Sequence, residues 1–365
     1  AVALSDVDDR GLVWRTTPSD ALQARAVGQL TTDLLDELQQ EVGQARQVKL
    51  TVLTRRNDVY AQGLRDSLPQ FLPDEITQGN EHRFSAFNYR NPSADEGTDF
   101  SGVIGEVLAE STPPDVIVIF GFEEAWEMAR LLDAELEGQP HFVFADAGRV
   151  PGQAEDPESD LLEGRVRGTA PRTLSDADYV PWNSFRLKFN SSTEWRAENV
   201  QYVANSYDAV YAIALAAAGS GFTGPQLAEG MKQLSEGEPI AATQDEAQRG
   251  MNLRERGHTI DLRGASGELN FDENGDPTAG QIALWCLQDR RVGEEAIIIS
   301  RDGSYESATC SPDECARDTD CPSDHLCDES ECRPQCSSDD GCGSAHQCLV
   351  RQDTDAGDQK VCKPA

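Results

Sequence analysis

Three side chains that could bind a small molecule stand where predicted strands end or a predicted helix begins. Asp146 directly follows the predicted strand Phe142–Ala145. Phe122 comes shortly after the predicted strand Asp115–Phe120, and Tyr60 lies in the first turn of a predicted helix. Ligands of open parallel sheets bind in the crevice at the carboxyl ends of the strands. A carboxylate and aromatic rings at that edge would suit a ligand that has a cationic group and an apolar part.

Each of these side chains also has an ordinary structural explanation. Tyr60 can pack on its own helix, Asp146 can cap the turn before Gly148, and Phe122 can belong to the core. The residues alone leave both explanations open at all three positions.

The sequence offers little support for catalysis. Its five histidines are scattered outside any HExxH pattern, and it has no GxSxG elbow and no P-loop. The run Gly219–Gly224 is better explained as a helix stop with a C-terminal glycine cap. The acidic run Asp272–Asp276 departs from an EF-hand loop, which needs glycine at position six and glutamate at position twelve, because Gly275 is fourth and Ala283 is twelfth. We expect a hairpin-like turn there, and no enzyme activity, cofactor or metal site.

Ten cysteines indicate an oxidising compartment, and nine of them lie after residue 309. They form two repeats of four and a remaining pair: Cys315, Cys321, Cys327 and Cys332; Cys336, Cys342, Cys348 and Cys362; and Cys286 with Cys310. We expect two disulfides per repeat, each contributing about 2–4 kcal/mol, with three pairings open in each. Cys286 and Cys310 are left to tie the tail to the body. A zinc site needs CxxC-like pairs, and only Cys332 and Cys336 approach that spacing.

The net charge of −34 comes from 65 acidic and 31 basic side chains. A field of this sign repels phosphate backbones, so nucleic acid is excluded as an expected partner. No apolar run approaches the length of a membrane span, so no transmembrane segment is expected in this chain.

Strands and helices alternate in the first half of the chain, which predicts an α/β fold with a parallel sheet covered on both faces. The predicted helices are 18–42, Val59–Leu68, Phe100–Leu108 and Glu123–Leu136. The predicted strands are Val48–Leu53, His82–Tyr89, Asp115–Phe120 and Phe142–Ala145. Helices dominate from Asp178 to Leu234, two strands follow at Ile282–Leu287 and Glu295–Ser300, and the tail from Asp302 has no periodicity.

Five phrases of the sequence resemble, in the same order, the type I periplasmic solute-binding proteins of the leucine/isoleucine/valine-binding family, which includes the receptor ligand-binding region. They are Trp14–Asp20, Leu50–Leu64, Leu162–Thr169, Asn205–Ala218 and Gly267–Asp276. The resemblance implies two lobes joined by three crossover strands. It also implies a protein that captures a small polar solute, such as an amino acid or amide, without a covalent step.

The same resemblance implies roles for four residues. Tyr60 matches the family's aromatic ligand contact, Gly121 and Phe122 match the next lining loop, and Asp146 takes the position of an acid that holds the ligand's ammonium. Ala61 departs from the family, which has glycine after the tyrosine. An ABC permease or an envelope receptor is the implied partner. The implied location is the periplasm or the cell surface, with a lipid anchor upstream of the present sequence.

The resemblance divides the chain into five parts: 1–20, a remnant of the N-terminal lobe with the first crossover; 21–170, the C-terminal lobe; 171–270, helices returning to the N-terminal lobe; 271–302, the third crossover and last strands; and 303–365, the cysteine-rich module. Only thirteen residues precede Trp14, so we expect a fragment that lacks most of the N-terminal lobe. The alternative is a natural variant without that lobe, in which the helices of 183–236 would have no sheet to cover.

An alternative function is also open. The protein could be a cell-surface interaction protein that uses the cysteine-rich module to contact partners, with the binding fold as a scaffold or receptor domain. The predicted disulfide-stapled tail is the feature that favours it.

Overall fold

A computed structural model describes most of the chain as two compact units, Ala1–Ala308 and Thr309–Ala365. The described residues are 4–5, 7–77, 83–92, 99–136, 138–171, 179–197, 200–278, 280, 282–288, 291–295, 325–328, 331–334, 346–350 and 360–364. The strands after residue 290 are described by their backbone.

The first unit is built on a seven-stranded sheet, here called the main sheet. Its strands are β1 (Leu50–Arg55), β2 (Phe84–Tyr89), β3 (Val116–Phe120), β4 (His141–Phe144), β5 (Val166–Pro171), β9 (Ile282–Gln288) and β10 (Arg291–Glu295). Their order is β10-β9-β5-β4-β3-β1-β2. The five strands from β1 to β5 are parallel, whereas β9 and β10 are antiparallel additions. The predicted α/β class is therefore confirmed.

Helices cover both faces of the main sheet: α1 (Asp20–Val42), α2 (Val59–Ser67), α3 (Asp74–Thr77), α4 (Ser101–Leu108), α5 (Glu124–Glu135) and α6 (Pro151–Ala154). The strands β1 and β3 are buried at every position, as expected for parallel strands covered on both sides. On the α5 face the rings of Trp126 and Trp285 stack with centroids 6.3 Å apart, and Phe144 meets both. Burial of each such ring contributes roughly 1.5–3 kcal/mol.

The main sheet contains two strands that the sequence did not predict with these bounds. One is Arg291–Glu295. The predicted strand Glu295–Ser300 overlaps it at Glu295 and stays a prediction, because residues 296–300 lie outside the described part of the chain. The strand β5 was not expected, because Gly168 interrupts it and Pro171 ends it. Gly168 is needed there, since a Cβ would stand 2.3 Å from Trp285 Cζ2.

A second, three-stranded sheet, here called the small sheet, lies among the helices of residues 180–255, a region for which the sequence predicted helices. The small sheet has the order β6 (Glu238–Ala241), β7 (Ile260–Gly264) and β8 (Gly267–Glu268). Its helices are α7 (Val180–Ser192), α8 (Val203–Ser220), α9 (Gly224–Met231) and α10 (Gln244–Glu255). The strands β6 and β7 are parallel and joined through α10, so they form a βαβ unit. The strands β6 and β7 were not predicted, because they are short and β6 contains Pro239.

Asp208 of α8 holds the small sheet to its helices. This side chain is fully buried, with an exposed fraction of 0 %. Its carboxylate accepts hydrogen bonds from Ala265 N at 2.6 Å and from Ser266 N and Oγ at 2.8 and 2.5 Å. The carboxylate therefore satisfies the backbone of the β7–β8 turn.

The acidic run after β8 forms the predicted turn. The Asp272 carboxylate accepts from the backbone N–H groups of Asn274 and Asp276, and Gly275 has a positive φ of 76°. Asp276 pairs with Arg15 at 2.5 Å, and Arg15 N donates to Gly275 O at 3.0 Å. Asp272 and Asp276 are thus engaged with the protein itself, and Arg15 is held against this turn.

The second unit contains two hairpins, one in each cysteine repeat. The first pairs β11 (His325–Asp328) with β12 (Glu331–Pro334), and the second pairs β13 (His346–Val350) with β14 (Lys360–Pro364). In each hairpin the third and fourth cysteines of the repeat are opposite one another, Cys327 with Cys332 and Cys348 with Cys362. The sequence repeat is therefore also a repeat of backbone structure.

The disulfide predictions of the tail stay predictions. Cys286 lies in β9, is buried and is disulfide-bonded. The remaining predicted cysteines lie outside the described residues: Cys310, Cys315, Cys321, Cys336 and Cys342.

Candidate functional site

Asp146 is the centre of a hydrogen-bonded cluster at the carboxyl end of β4. Its side chain is 7 % exposed. One carboxylate oxygen, Oδ1, accepts from the hydroxyl of Tyr60 and, at 2.5 Å, from Gln23 Nε2. The other, Oδ2, accepts from the hydroxyl of Tyr202. The donors are neutral, and no ion pair involves Asp146 among the described residues.

Tyr60 reaches this cluster because α2 begins directly after β1. Asp58 caps the helix by accepting from Ala61 N at 2.9 Å. The Tyr60 hydroxyl then contacts Asp146 and accepts from Ala147 N at 3.4 Å. Burial, followed by the neighbouring Asp146 charge, raises the pKa of Tyr60 well above its ordinary value. Its hydroxyl is therefore a protonated donor at neutral pH.

Phe122 lies on the surface beside this cluster and not in the core. Its side chain is 36 % exposed, and its ring centroid is 5.6 Å from that of Tyr60. The guanidinium of Arg55 stands 4.5 Å above the ring. Arg55 also contacts Asn91 Oδ1 at 2.5 Å and Glu124 Oε1 at 3.4 Å. These contacts hold a charged group against the face of an accessible aromatic ring, which is a favourable arrangement.

Gly121 has a packing role. A Cβ at this position would stand 1.9 Å from the hydroxyl oxygen of Tyr89 and 2.9 Å from Glu124 Oε1. The Tyr89 hydroxyl donates to Glu124 Oε1 at 3.0 Å and contacts Phe120 O at 3.3 Å. Only glycine leaves room for this tyrosine beside the end of β3.

A cavity of about 620 Å³ opens at the same edge of the main sheet. It is lined by Arg55, Pro92, Phe122, Glu123, Glu124, Glu127, Arg130, Ala147, Val150 and Gln153. Phe122 is the predicted site residue in this lining, while Gly121, Tyr60 and Asp146 lie outside it. The structure therefore divides the predicted residues between a hydrogen-bonded cluster and an adjoining cavity whose walls are largely charged.

Two members of the cluster were missed by the sequence analysis. Gln23 is a buried polar residue in the apolar stripe of α1, followed by Val27, Leu30 and Leu34 at helical spacing, and that interruption was a usable signal. Tyr202 immediately precedes α8 and adopts a left-handed backbone conformation with φ +65°. Nothing local in the sequence indicates that its hydroxyl reaches Asp146.

The described residues contain neither a metal-binding cluster nor a membrane-spanning helix. Within the described ranges, no three His, Cys, Asp or Glu side chains come together in a way that could hold a metal ion. Among the described helices, none combines the length and the apolar character needed to cross a bilayer.

Comparison with known proteins gives a family and a fold. The model of the receptor family ligand-binding region matches residues 79–290, which is more than half of the chain. No curated protein matches significantly.

Solved structures resemble the chain over most of its length. A leucine-binding protein from Thermotoga maritima has a TM-score of 0.55 and 20 % identity, covering 80 % of this chain and 69 % of that protein. A branched-chain amino acid transporter substrate-binding protein from Streptococcus pneumoniae, in complex with isoleucine, has a TM-score of 0.53 and 14 % identity, covering 77 % and 66 %. A possible leucine/isoleucine/valine-binding protein from Rhodopirellula baltica has a TM-score of 0.54 and 14 % identity, covering 81 % and 69 %. Structural similarity at such low sequence identity shows that these proteins share a fold with this chain.

Proposed function

This chain belongs to the receptor family ligand-binding region, and from that premise we propose that it binds a small polar solute between its two sheet regions. The solute carries an ammonium or amide donor and resembles an amino acid. The protein works outside the cytoplasm, in the periplasm or at the cell surface. It delivers the solute to an ABC permease or signals its presence to an envelope receptor.

The observation that carries this proposal is the Asp146 carboxylate. It is buried at the carboxyl edge of a parallel sheet, and its donors among the described residues are neutral. A buried carboxylate gains more from a cationic partner than from a hydroxyl, because charge-assisted hydrogen bonds are about twice as strong as neutral ones. A ligand ammonium would therefore bind there with a specific energetic advantage. The solved relatives whose names specify leucine or isoleucine support the amino acid class.

Binding in this proposal needs shape and hydrogen bonds, and no covalent step. The adjoining cavity of about 620 Å³ falls within the range of about 300–1,000 Å³ that is usual for small-ligand sites. Its wall provides the Phe122 ring for an apolar part of the solute. The Arg15–Asp276 pair holds two of the crossing segments together, so we propose that closure of the two regions is a hinge motion about them.

The test is a thermal-shift screen of the full chain against the twenty common L-amino acids and their amides. At a ligand concentration about a hundred times Kd, the melting temperature should rise by roughly 5 °C. Asp146→Asn should abolish the rise. Asp66→Asn makes the same chemical change at an exposed side chain and should retain it. Equal shifts in both variants would exclude Asp146 as the ligand's anchor, and no shift with any compound would exclude the solute class.

A second candidate is the cell-surface interaction role, in which the cysteine-rich unit contacts a partner. The two hairpins of that unit favour it, because they give the repeats a regular backbone. A pull-down from envelope extract with the full chain, compared with a chain ending at residue 308, separates this role from solute capture. Partners retained by the shortened chain would count against it.

A further inference from the structure

Tyr202 occupies the acceptor that a bound solute would use. It precedes α8, whose buried side chains pack with the small sheet, yet its hydroxyl donates to Asp146 Oδ2 beside the main sheet. Tyr60 and Gln23 also donate to Asp146, but both belong to helices that cover the main sheet. Tyr202 is therefore the member of the cluster that joins the two sheet regions.

The cavity beside Tyr202 is small, although the residue itself is 36 % exposed. The cavity that it lines with Pro171, Val200 and Ser266 measures about 10 Å³, which is at or below the size that holds one water molecule. The neighbouring Asn205 Nδ2 donates to Thr16 O at 2.7 Å, and Thr16 Oγ1 donates to Asn205 O at 2.9 Å. While the Tyr202 hydroxyl stays in place, Asp146 Oδ2 already has a donor that a solute would have to replace.

The backbone of Tyr202 is held in an uncommon conformation. Its φ of +65° lies in the left-handed region, which costs a tyrosine roughly 1–2 kcal/mol. Its carbonyl oxygen accepts from Ser206 N at 2.9 Å and from Ser206 Oγ at 3.0 Å. The first turn of α8 thus fixes the residue that reaches across to Asp146.

We propose that the Tyr202–Asp146 hydrogen bond is a latch between the two sheet regions that must break before a solute ammonium can bind Asp146 Oδ2. This inference rests on the proposed function for the identity of the competitor. The latch lowers the apparent affinity, because only the fraction of molecules with a broken latch can bind. It also selects for a cationic donor, since a neutral donor would replace the phenol with no gain.

The experiment compares Tyr202→Phe with Tyr60→Phe. Each variant removes one hydroxyl from the same carboxylate, but only Tyr202 joins the two regions. Amide hydrogen exchange of the unliganded full chain should become about tenfold faster in peptides 146–150 and 200–206 of Tyr202→Phe, as expected for the loss of a hydrogen bond to a charged group. Peptide 200–206 of Tyr60→Phe should exchange as in the wild type. Equal exchange of that peptide in the two variants would overturn the latch.

Ligand binding provides a second test, in which the latch predicts tighter binding by Tyr202→Phe and a direct contact with the solute predicts weaker binding. For any amino acid that stabilises the wild type, Tyr202→Phe should lower Kd about tenfold, since the competing donor is gone. Weaker binding would show instead that the Tyr202 hydroxyl contacts the solute, and would refute the latch. If no amino acid binds, the solute proposal fails, while hydrogen exchange still decides whether the latch exists.

A third variant tests the same hydrogen bond from the side of its acceptor. Asp146→Ala removes the acceptor instead of the donor and should accelerate exchange of peptide 200–206 to the same extent as Tyr202→Phe. Cooperative urea unfolding of each variant establishes that the fold is intact. A slow, wild-type exchange of this peptide in Asp146→Ala would contradict the latch.

Discussion

Two buried aspartates, one beside each sheet, satisfy their carboxylates in different ways. Asp208 accepts from two backbone N–H groups and one hydroxyl, all within the β7–β8 turn. Asp146 accepts from three side chains that come from α1, α2 and the residue before α8. Backbone donors cannot leave a fixed turn, whereas a tyrosine hydroxyl or a glutamine amide can rotate away. The comparison indicates a structural role for Asp208 and an exchangeable set of partners for Asp146.

The largest expected effect is the loss of the Asp208 carboxylate. Asp208→Ala leaves the buried Ala265 N–H and the half-buried Ser266 N–H without their acceptor, and an unsatisfied buried group costs about 1–3 kcal/mol. We expect the free energy of unfolding to fall by at least about 3 kcal/mol, measured by urea denaturation. A loss below 1 kcal/mol would mean that water replaces the carboxylate, and the contrast with Asp146 would disappear.

The next largest expected effect is a pH dependence of stability that comes from the titration of Asp208. Burial raises its pKa from 3.8 to about 6, against the opposing effect of the Ser266 and Ala265 hydrogen bonds. Between about pH 4 and pH 6 the folded state therefore holds a proton that the unfolded chain has released, so this group's contribution to stability falls as pH rises and is constant above pH 6. The shift corresponds to roughly 3 kcal/mol.

Other carboxylates of this acidic chain also titrate in this range, so the measurement is a difference. The unfolding free energy of the wild type minus that of Asp208→Asn should decrease between pH 4 and pH 6.5, because asparagine cannot titrate. A difference that is flat with pH would show that Asp208 is ionised in the folded state throughout.

A smaller effect is expected from the glycine beside Asp208. A Cβ at Gly264 would stand 2.2 Å from Asp208 Oδ2 and 2.5 Å from its Cγ, so Gly264→Ala must displace the carboxylate from the turn. We expect a loss of about 2 kcal/mol in unfolding free energy, typical of overpacking. Gly102→Ala is the control, because a Cβ there meets no atom within 4 Å. Equal unfolding midpoints in the two variants would argue against a rigid Asp208 anchor.

The smallest effect on stability is expected at Asp146 itself. In Asp146→Asn the amide oxygen keeps acceptor capacity, and the tyrosine hydroxyls can rotate to accept from the amide nitrogen. We expect the unfolding free energy to change by less than about 1 kcal/mol, although solute binding is lost. A large loss of stability would place Asp146 in the same structural class as Asp208.

Much of the main sheet could be predicted from the sequence. The strands β1, β2, β3, β4 and β9 lie within two residues of their predicted bounds at every end. For β1, β3 and β4 the reason is that buried parallel strands are continuous apolar runs. The stop of α8 at Ser220, with Gly221 at φ +106° as its cap, was also predicted. These features depend on local composition, which a sequence shows directly.

The small sheet and β10 could be predicted less well. The strand β7 alternates buried and exposed residues in the usual way, but β6 contains Pro239 and β8 has two residues. Short strands are stabilised by the helices packed on them more than by their own residues. Their presence depends on where α8 and α10 lie, which local periodicity does not show.

The sequence by itself determined the α/β class, the repeat in the tail, and the positions of Asp146 and Tyr60 at the edge of a parallel sheet. Only the tertiary structure decided what Asp146 contacts. Gln23 is 123 residues away along the chain and Tyr202 is 56 residues away, and neither distance leaves a periodic signal. Such contacts arise when packed helices bring side chains together, because burial of apolar surface sets the helix positions and the polar groups at their ends must then find partners.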